Sequence, residues 1–323
     1  MSQDAAVAGT GLSGEEWPAL PLEAWKDTRD TLQLWTQIVG KIRLKLSPPL
    51  NHWWNSALYV TSRGLTTTPI PYGARTFDLT FDFFDHALVV ETSDGQSERI
   101  PLRPQTVADF YRAVMTTLGR LSIDVKIWTM PSELPSPIRF EADRRHASYD
   151  PVNAHRFWRI LLAADAVLKE FRARFVGKAS PVHFFWGSFD LTVTRFSGRR
   201  APERAGADVI TREAYSHEVS SCGFWSGTGS LTGPAFYSYA APEPPGFKEA
   251  HIRPAQAFYS TEFSNFLLLY DDLRKAASPR AVLLEFFEST YEAAATLGRW
   301  ERRDLERADP TSQPSGSAGD HPA

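Results

Sequence analysis

The sequence predicts an α+β protein made of two related lobes, each running helix, strands, helix, with mostly antiparallel sheets packed as one body. Three observations support this prediction. Helical and strand patterns follow one another in the same order in both halves of the 323-residue chain. One stretch of the first half is echoed in the second. The composition, 42% hydrophobic and 23% charged, is that of a globular protein.

The echo between the halves indicates an internal duplication. Residues 47–63 align with residues 180–195. This alignment pairs three residues of each half, namely Trp54 with Trp186, Ser56 with Ser188 and Arg63 with Arg195. Because ligand sites favour the interface between such units, the echo predicts a site between the lobes.

The first half shows a helix, several strands and a second helix. Apolar residues at helical spacing predict a helix over residues 22–47, which Pro48 ends. The pair Asp94-Gly95 predicts a hairpin turn, and a first-turn proline predicts a helix over residues 104–119. Alternating patterns predict strands at residues 54–62, 76–83, 87–91, 98–102 and 122–128.

The second half repeats this order after a seam. Three prolines between residues 130 and 140 indicate the seam. Asp150-Pro151 supplies a cap and a first turn for a helix that ends near Gly177, and Ser278-Pro279 does the same for the last helix. The remaining pattern predicts strands at 183–196, 216–224, 235–239 and 257–263, a loop at 197–214, and helices at 266–277 and 278–297.

The chain is expected to divide into four segments. Residues 1–16 and 306–323 are too poor in apolar residues to order by themselves. Between them we expect a first α+β lobe over residues 17–140 and a second over residues 141–305. The sequence does not predict an oligomeric state or a cofactor.

The bulk properties exclude several classes of function. With 35 basic and 38 acidic residues interspersed, the net charge of −3 lacks the basic footprint of a nucleic-acid binder. No apolar stretch approaches the ~18 residues that span a bilayer. The one cysteine, Cys222, excludes an intrachain disulfide and a cysteine-based zinc cluster. We expect a soluble cytoplasmic protein without nucleic-acid or membrane partners.

The strand predicted from His183 to Phe196 carries the best candidate site. Side chains alternate along a regular strand. One face would then be apolar, with Phe185, Phe189, Leu191 and Val193, and the other mixed, with Phe184, Trp186, Ser188, Asp190, Thr192 and Thr194. The mixed face suits a polar ligand with an apolar flank, such as a sugar or nucleoside, and equally suits a solvated or helix-covered sheet face.

Asp190 decides between a chemical and a structural role for this face. A buried carboxyl without a partner has a raised pKa and can serve as a general acid or base. If Asp190 pairs with Arg195 or Arg63, it is structural. His217 could form an acid–base pair with Asp190 or Glu218, or a nitrogen–oxygen metal site, but no metal-binding spacing is present and we assign no metal ligand.

These residues predict one cleft. Its catalytic candidates are Asp190, His217 and Glu218, and its ligand-binding candidates are His52, Trp54, Asn55, His183, Trp186, Arg195 and Tyr215. The glycine-rich residues 223–233 lack a nucleotide-phosphate pattern and predict a mobile loop over the site. Cys222 beside them could be a nucleophile with His217 or a small buried hydrophobe.

Three of these segments carry a resemblance. Residues Asn51–Ser56, His183–Leu191 and Tyr215–Glu218 resemble a bacterial family of uncharacterised proteins, a domain of unknown function. The similarity covers about residues 17–302. It implies a bacterial, cytoplasmic protein with no established activity, so no catalytic residue is carried over.

Two hypotheses of different classes remain. In the first, the protein is an enzyme that acts on a polar small molecule by acid–base chemistry, with the tryptophans as a stacking platform. In the second, it is a non-catalytic ligand-binding or assembly module whose motifs lock the lobes together. A wet cleft with an unpaired carboxylate favours the enzyme, and a filled seam with Asp190 paired to arginine favours the module.

Overall fold

The computed structural model describes residues 16–227, 231 and 233–308. It is an α+β protein, as the patterns predict, and it has two antiparallel sheets of six strands each. Of the tails expected to lack order, residues 1–15 and 309–323 lie outside the described residues. The described end of the chain is held in place, because the Arg307 amide donates to the carbonyl of Arg174 at 2.9 Å.

The first sheet is a meander whose register follows the alternation of apolar residues. Its order is β1-β2-β4-β5-β6, and β3 pairs with β4. Phe77, Leu79 and Phe81 on its central strand all point into the core. The six strands are β1 (Tyr59–Val60), β2 (Gly64–Thr66), β3 (Ile70–Tyr72), β4 (Arg75–Asp82), β5 (Ala87–Thr92) and β6 (Ser97–Pro101).

Two helices accompany this sheet. Helix α1 spans Leu22–Leu46, and from Thr31 to Arg43 every residue but Gln33 is buried. Helix α2 spans Val107–Arg120 and is capped by Thr106, whose side chain accepts a hydrogen bond from the Asp109 amide. Because α1 is buried nearly all round, it serves as the central helix of the molecule.

The second sheet is also antiparallel, with the order β11-β12-β10-β9-β8-β7. Its strands are β7 (His183–Phe185), β8 (Asp190–Arg200), β9 (His217–Trp225), β10 (Ala235–Ala241), β11 (Phe258–Ser260) and β12 (Asn265–Leu269). The helices are α3 (Pro151–Ala173), α4 (Val209–Ala214), α5 (Tyr270–Arg274), α6 (Pro279–Leu297) and α7 (Arg302–Leu305). Asp150 caps α3 by accepting two backbone amides, as the Asp-Pro pair predicts.

The two sheets meet at their first strands. Leu58 and Phe184 exchange two backbone hydrogen bonds, each 2.8 Å long. The main cluster of buried apolar side chains contains residues of both halves, from Trp17 to Trp300. No helix among the described residues has the length and apolarity that crossing a membrane requires.

Helix α1 fixes the turn that precedes β8. Trp186 lies so close to Gly40 that a Cβ at position 40 would be 2.1 Å from the indole Cδ1. The indole N–H donates to the carbonyl of Ser56 at 2.7 Å. Gln33 donates to the carbonyl of Gly187 at 2.7 Å. The close approach of ring and helix therefore requires glycine at position 40.

The structure corrects several predicted elements. Residues 266–277 are not one helix, because 265–269 form β12 and only α5 follows. A short run that is apolar on both faces does not distinguish a buried strand from a helix. Residues 54–62 are mostly not a strand, since Asn51–Ser56 form a 3-10 helix. Residues 122–128 alternate in burial but pair with no strand among the described residues.

The long strand predicted over residues 183–196 is a hairpin instead. A tight turn over residues 186–189 separates β7 from β8, and Phe189 has a left-handed φ of 58°. Because of this turn, odd-numbered residues of β7 point to the same face of the sheet as even-numbered residues of β8. Phe184 therefore lies in the core, while Phe185 is directly opposite Asp190.

We predict that Gly40→Ala lowers the free energy of unfolding by about 1–3 kcal/mol, because the added methyl group overlaps Trp186. Gly119→Ala in α2 is the matched control, since a Cβ there meets no atom within 4 Å. The control should be stabilised by roughly 0.4–1 kcal/mol, because alanine restricts the unfolded chain. Urea unfolding measures both, and equal midpoints for the two variants would refute the assigned contact.

Candidate functional site

A cavity of about 580 Å³ lies over one face of the second sheet. Strands β7 to β10 form its floor. The 3-10 helix Asn51–Ser56, helix α4 and residues 132–133 contribute its walls. Both halves of the chain therefore line the cavity, which we call the interlobe cavity.

Hydroxyl groups cover the floor of the interlobe cavity. Asp190, Thr192 and Thr194 alternate along β8 on the cavity side, while Leu191 and Val193 face the core. Ser221, across the strand pair from Thr194, lies 2.9 Å from its hydroxyl and 3.1 Å from that of Thr192. The floor offers donors and acceptors within an aromatic frame.

Asp190 is buried, and two hydroxyl groups donate hydrogen bonds to its carboxyl group. The Ser188 hydroxyl donates to one carboxyl oxygen and the Tyr237 hydroxyl to the other. Tyr237 reaches Asp190 across β9 because the intervening residue is Gly223, where a Cβ would be 2.8 Å from the tyrosine oxygen. No basic side chain among the described residues pairs with Asp190.

Both arginines that could have neutralised Asp190 are engaged elsewhere. Arg63 pairs with Asp82 at 2.7 Å. Arg195 lies on the core face of β8, where its guanidinium stacks 3.4 Å from the Phe171 ring centroid and lies 3.6 Å from Glu288. Asp190 is therefore not paired with either arginine, which is the condition under which its carboxyl group is available for acid–base chemistry.

A second carboxyl group, Glu133, lies beside Asp190. Although the residue is exposed, its carboxyl lies against Gly187, where a Cβ would be 2.2 Å from Oε1. The backbone of Glu133 is left-handed, with φ of 58°. Gln37 holds the preceding residue, Ser132, through two hydrogen bonds of 2.8 and 3.0 Å. Sequence reasoning missed Glu133, because a glutamate in a proline-rich segment carries no pattern.

The pKa values of the two carboxyl groups are both raised. Burial raises the pKa of Asp190, and the hydrogen bonds from Ser188 and Tyr237 oppose that effect without cancelling it. The pKa of Glu133 is raised mainly because its carboxyl group is partly removed from water, and to a smaller extent because of the negative charge of Asp190. A raised pKa lets each of these carboxyl groups keep its proton to a higher pH than an ordinary carboxyl group, which is the kind of perturbation found in general acids and bases.

Aromatic rings form the walls of the interlobe cavity. Trp54 and Trp186 both line it, together with Phe185, Tyr237 and Tyr239. Tyr239 lies 3.1 Å from the Tyr215 hydroxyl, which brings another predicted residue into the wall. The rings can stack on a ligand or present their π faces to a cation.

At the other end of the cavity His52 contributes to the lining, and Lys178 and His217 contact it from outside the lining. Lys178 donates to His52 Nε2 at 2.6 Å, and the opposite nitrogen, Nδ1, donates to the carbonyl of Glu213 at 3.0 Å. These bonds hold His52 as the neutral Nδ1–H tautomer. Burial and then the charge of Lys178 lower the pKa of His52. The ring centroid of His217 lies 5.9 Å from that of His52.

His183 lines the cavity but is a poor proton carrier. It sits opposite Thr192 because the hairpin turn changes its parity. Its pKa is lowered to about 3, mainly by burial and further by the positive charges of Arg43 and Arg172. Tyr59 lies 3.3 Å from Nε2, and Nδ1 has no hydrogen-bond partner among the described residues. His183 is thus a neutral polar group in the wall.

Some predicted residues do not line the cavity. Asn55 is buried and accepts the Leu50 amide at 3.2 Å. Glu218 points to the opposite face of β9 from His217 and pairs with Arg199 at 2.7 Å. Arg195 belongs to the core, as described above. Cys222 also faces the core, where burial raises the pKa of its thiol, so a pair with His217 is not formed.

The described residues hold no group of three or more histidine, cysteine, aspartate or glutamate side chains placed to bind a metal ion. The glycine-rich segment expected to form a mobile loop includes residues 228–230 and 232, which lie outside the described residues.

Comparisons with known proteins yield one match. A model of DUF5996, a family of unknown function, matches residues 17–307. No curated protein and no solved structure matches the chain.

We predict that Asp190→Asn changes the pH dependence of stability. Because the folded-state pKa of Asp190 is raised, wild-type protein loses stability as pH rises from the ordinary carboxyl range through that raised pKa. The asparagine variant lacks this loss. Its Tm relative to wild type should therefore increase with pH across this window, by about 2–4 °C for each kcal/mol.

Differential scanning fluorimetry between pH 4 and pH 9 measures the effect. Asp124→Asn, which changes an exposed carboxylate outside the cavity, is the control and should follow the wild-type curve. Parallel curves for wild type and Asp190→Asn would mean that Asp190 titrates alike in the folded and unfolded chain.

Proposed function

The chain belongs to DUF5996, a family of unknown function, and we propose that this member binds a polar small molecule in the interlobe cavity and exchanges a proton with it through Asp190. The observation that carries the proposal is the buried carboxyl of Asp190 in the floor of an open cavity, held by hydroxyl groups and by no basic residue among those described.

The size and lining of the cavity support binding of a small organic molecule. Ligand sites commonly enclose about 300–1,000 Å³ and combine apolar walls with a few polar groups. The interlobe cavity has this size, and hydroxyl groups of Thr192, Thr194 and Ser221 stand among aromatic rings. Such a lining favours a ligand that has both an apolar part and several hydrogen-bonding groups.

The acid–base role falls to Asp190 with Glu133 as its neighbour. A carboxyl with a raised pKa keeps its proton to a higher pH, so it can donate that proton as an acid and, once ionised, accept one as a base. Glu218 is held by Arg199, so Glu133 takes the place that we expected for it. His52 and Tyr215, which line the cavity, would orient the ligand, whereas His217 contacts His52 from outside the lining and does not contact Asp190.

The alternative is a non-catalytic binding or assembly module. It is favoured by Trp186, which packs on Gly40 and donates to Ser56 and so connects the two halves. In that case the cavity would hold a ligand without transforming it. The two functions share the binding step and differ in the fate of the ligand.

We also propose that the two halves arose by duplication and that the protein acts in the bacterial cytoplasm. Each half has a long helix before a six-stranded antiparallel sheet and a helix after it, which supports a common origin, although α4 lies between β8 and β9 in the second half. The aligned tryptophans occupy different local structures, since Trp54 is in a 3-10 helix and Trp186 in a hairpin turn. A duplication would therefore have diverged at the site itself.

We predict that a metabolite that binds the cavity raises the Tm of wild-type protein but not that of Trp54→Leu. Trp54 is half-buried in the cavity wall, so its loss removes a stacking surface without opening the core. A ligand at a hundred times its Kd adds about 2.7 kcal/mol to the stability of the folded state. A thermal-shift screen of a metabolite library measures the effect.

Trp128→Leu is the matched control, because Trp128 is 67% exposed and lies outside the cavity. This control should keep the full shift. If no compound in a broad library shifts wild type, the proposed function fails. For any hit, chromatography with wild type and Asp190→Asn then separates the alternatives. Turnover that only wild type supports indicates an acid–base enzyme, and an unchanged ligand indicates a binding module.

A further inference from the structure

We infer that the ligand carries a positively charged nitrogen, either a protonated primary amine or a substituted ammonium group. This group binds between the carboxyl groups of Asp190 and Glu133 in the interlobe cavity. The inference rests on the proposed function, because it names the chemical class of the molecule that occupies that same cavity.

The charges of the cavity lining carry the inference. Three acidic residues line the cavity, namely Glu133, Asp190 and Asp208, and none of the described lining residues is lysine or arginine. Asp208 is satisfied locally, since it accepts the Thr211 amide as the cap of α4. No basic residue among those described pairs with Asp190 or Glu133, and the charge of Asp190 opposes ionisation of Glu133. A cation between them relieves that repulsion.

The basic residues nearest the cavity do not fill this role. Lys41 lies behind the Trp186 ring, and its ammonium group donates to the carbonyl of Met130 and the hydroxyl of Ser132. Lys178 lies over Phe196, six residues along β8 from Asp190, which corresponds to about 20 Å. Neither lysine shifts the pKa of Asp190 or Glu133.

Aromatic side chains complete the site for a cation. Phe185 is directly opposite Asp190 in the β7–β8 hairpin, and Trp186 follows it in the turn. Tyr237 reaches Asp190 from the other side. Carboxyl groups framed by aromatic faces are the usual protein environment for organic ammonium groups. A neutral polyol would leave the carboxyl groups unpaired, and an anion would be repelled by them.

Binding of such a ligand is expected to release a proton. The pKa of Asp190 is raised. The titratable groups that face Asp190 are those of Glu133 and Tyr237, and the ammonium group of Lys41 lies on the Trp186 ring. An ammonium group favours the ionised carboxyl, so bound ligand lowers the pKa of Asp190. The affinity should therefore rise with pH through the raised pKa, as long as the amine stays protonated.

The test uses three probes of matched shape: 2-phenylethylamine, which is cationic, 2-phenylethanol, which is neutral, and phenylacetate, which is anionic. Isothermal titration calorimetry of the full chain measures each affinity and, in two buffers, the protons released. We expect the amine to bind at least tenfold more tightly than either other probe. Asp190→Asn and Glu133→Gln should each weaken the amine tenfold or more, while Asp124→Asn should not.

The outcomes separate this inference from the proposed function. Equal or tighter binding of 2-phenylethanol or phenylacetate, or amine binding that survives both carboxyl substitutions, overturns the cationic ligand and leaves the cavity as a binding site. If none of the probes binds, the charge of the hits in the metabolite screen decides, and neutral or anionic hits overturn the inference. A screen without hits overturns both proposals.

Discussion

The contact between the Trp186 indole and Gly40 is the constraint on which the rest of the site depends. Because position 40 has no side chain, the ring packs against the backbone of the buried central helix, and its N–H bonds to Ser56 of the first half. This contact fixes the turn between β7 and β8. The position of this turn determines where β8 begins, and hence places Asp190 in the cavity floor with Glu133 against Gly187.

The free-energy cost of burying Asp190 is only partly compensated. Two hydroxyl groups donate to it, yet its pKa remains raised because no cation is near among the described residues. Three residues that line the same cavity, His52, Trp53 and Glu133, have left-handed backbones. Each such residue costs about 1–3 kcal/mol. A fold that retains a partly compensated buried carboxyl and backbone strain in one cavity has the features of a site under functional constraint.

The candidate site was predictable from sequence in its floor but not in its walls. Alternation along β8 correctly separated Asp190, Thr192 and Thr194 from Leu191 and Val193, because a regular strand has a fixed period. It failed across the turn at residues 186–189, where the parity changes and Phe184 and Phe185 exchange faces. Glu218 was wrongly assigned to the cavity for a related reason. Adjacent residues of a strand point to opposite faces, and on β9 it is His217 that has the cavity-facing parity, while Glu218 pairs with Arg199 on the other face.

The sequence by itself determined the α+β class, most helix and strand positions and the polar face of β8, because period, caps and turn pairs are local properties of the chain. Only the tertiary structure decided which carboxyl groups meet and which charges are neutralised. Glu133 comes from the seam between the halves, and Arg195 is taken up by Phe171 and Glu288 on the other side of the sheet. Such neighbours depend on how distant segments pack, and local sequence patterns carry no information about that packing.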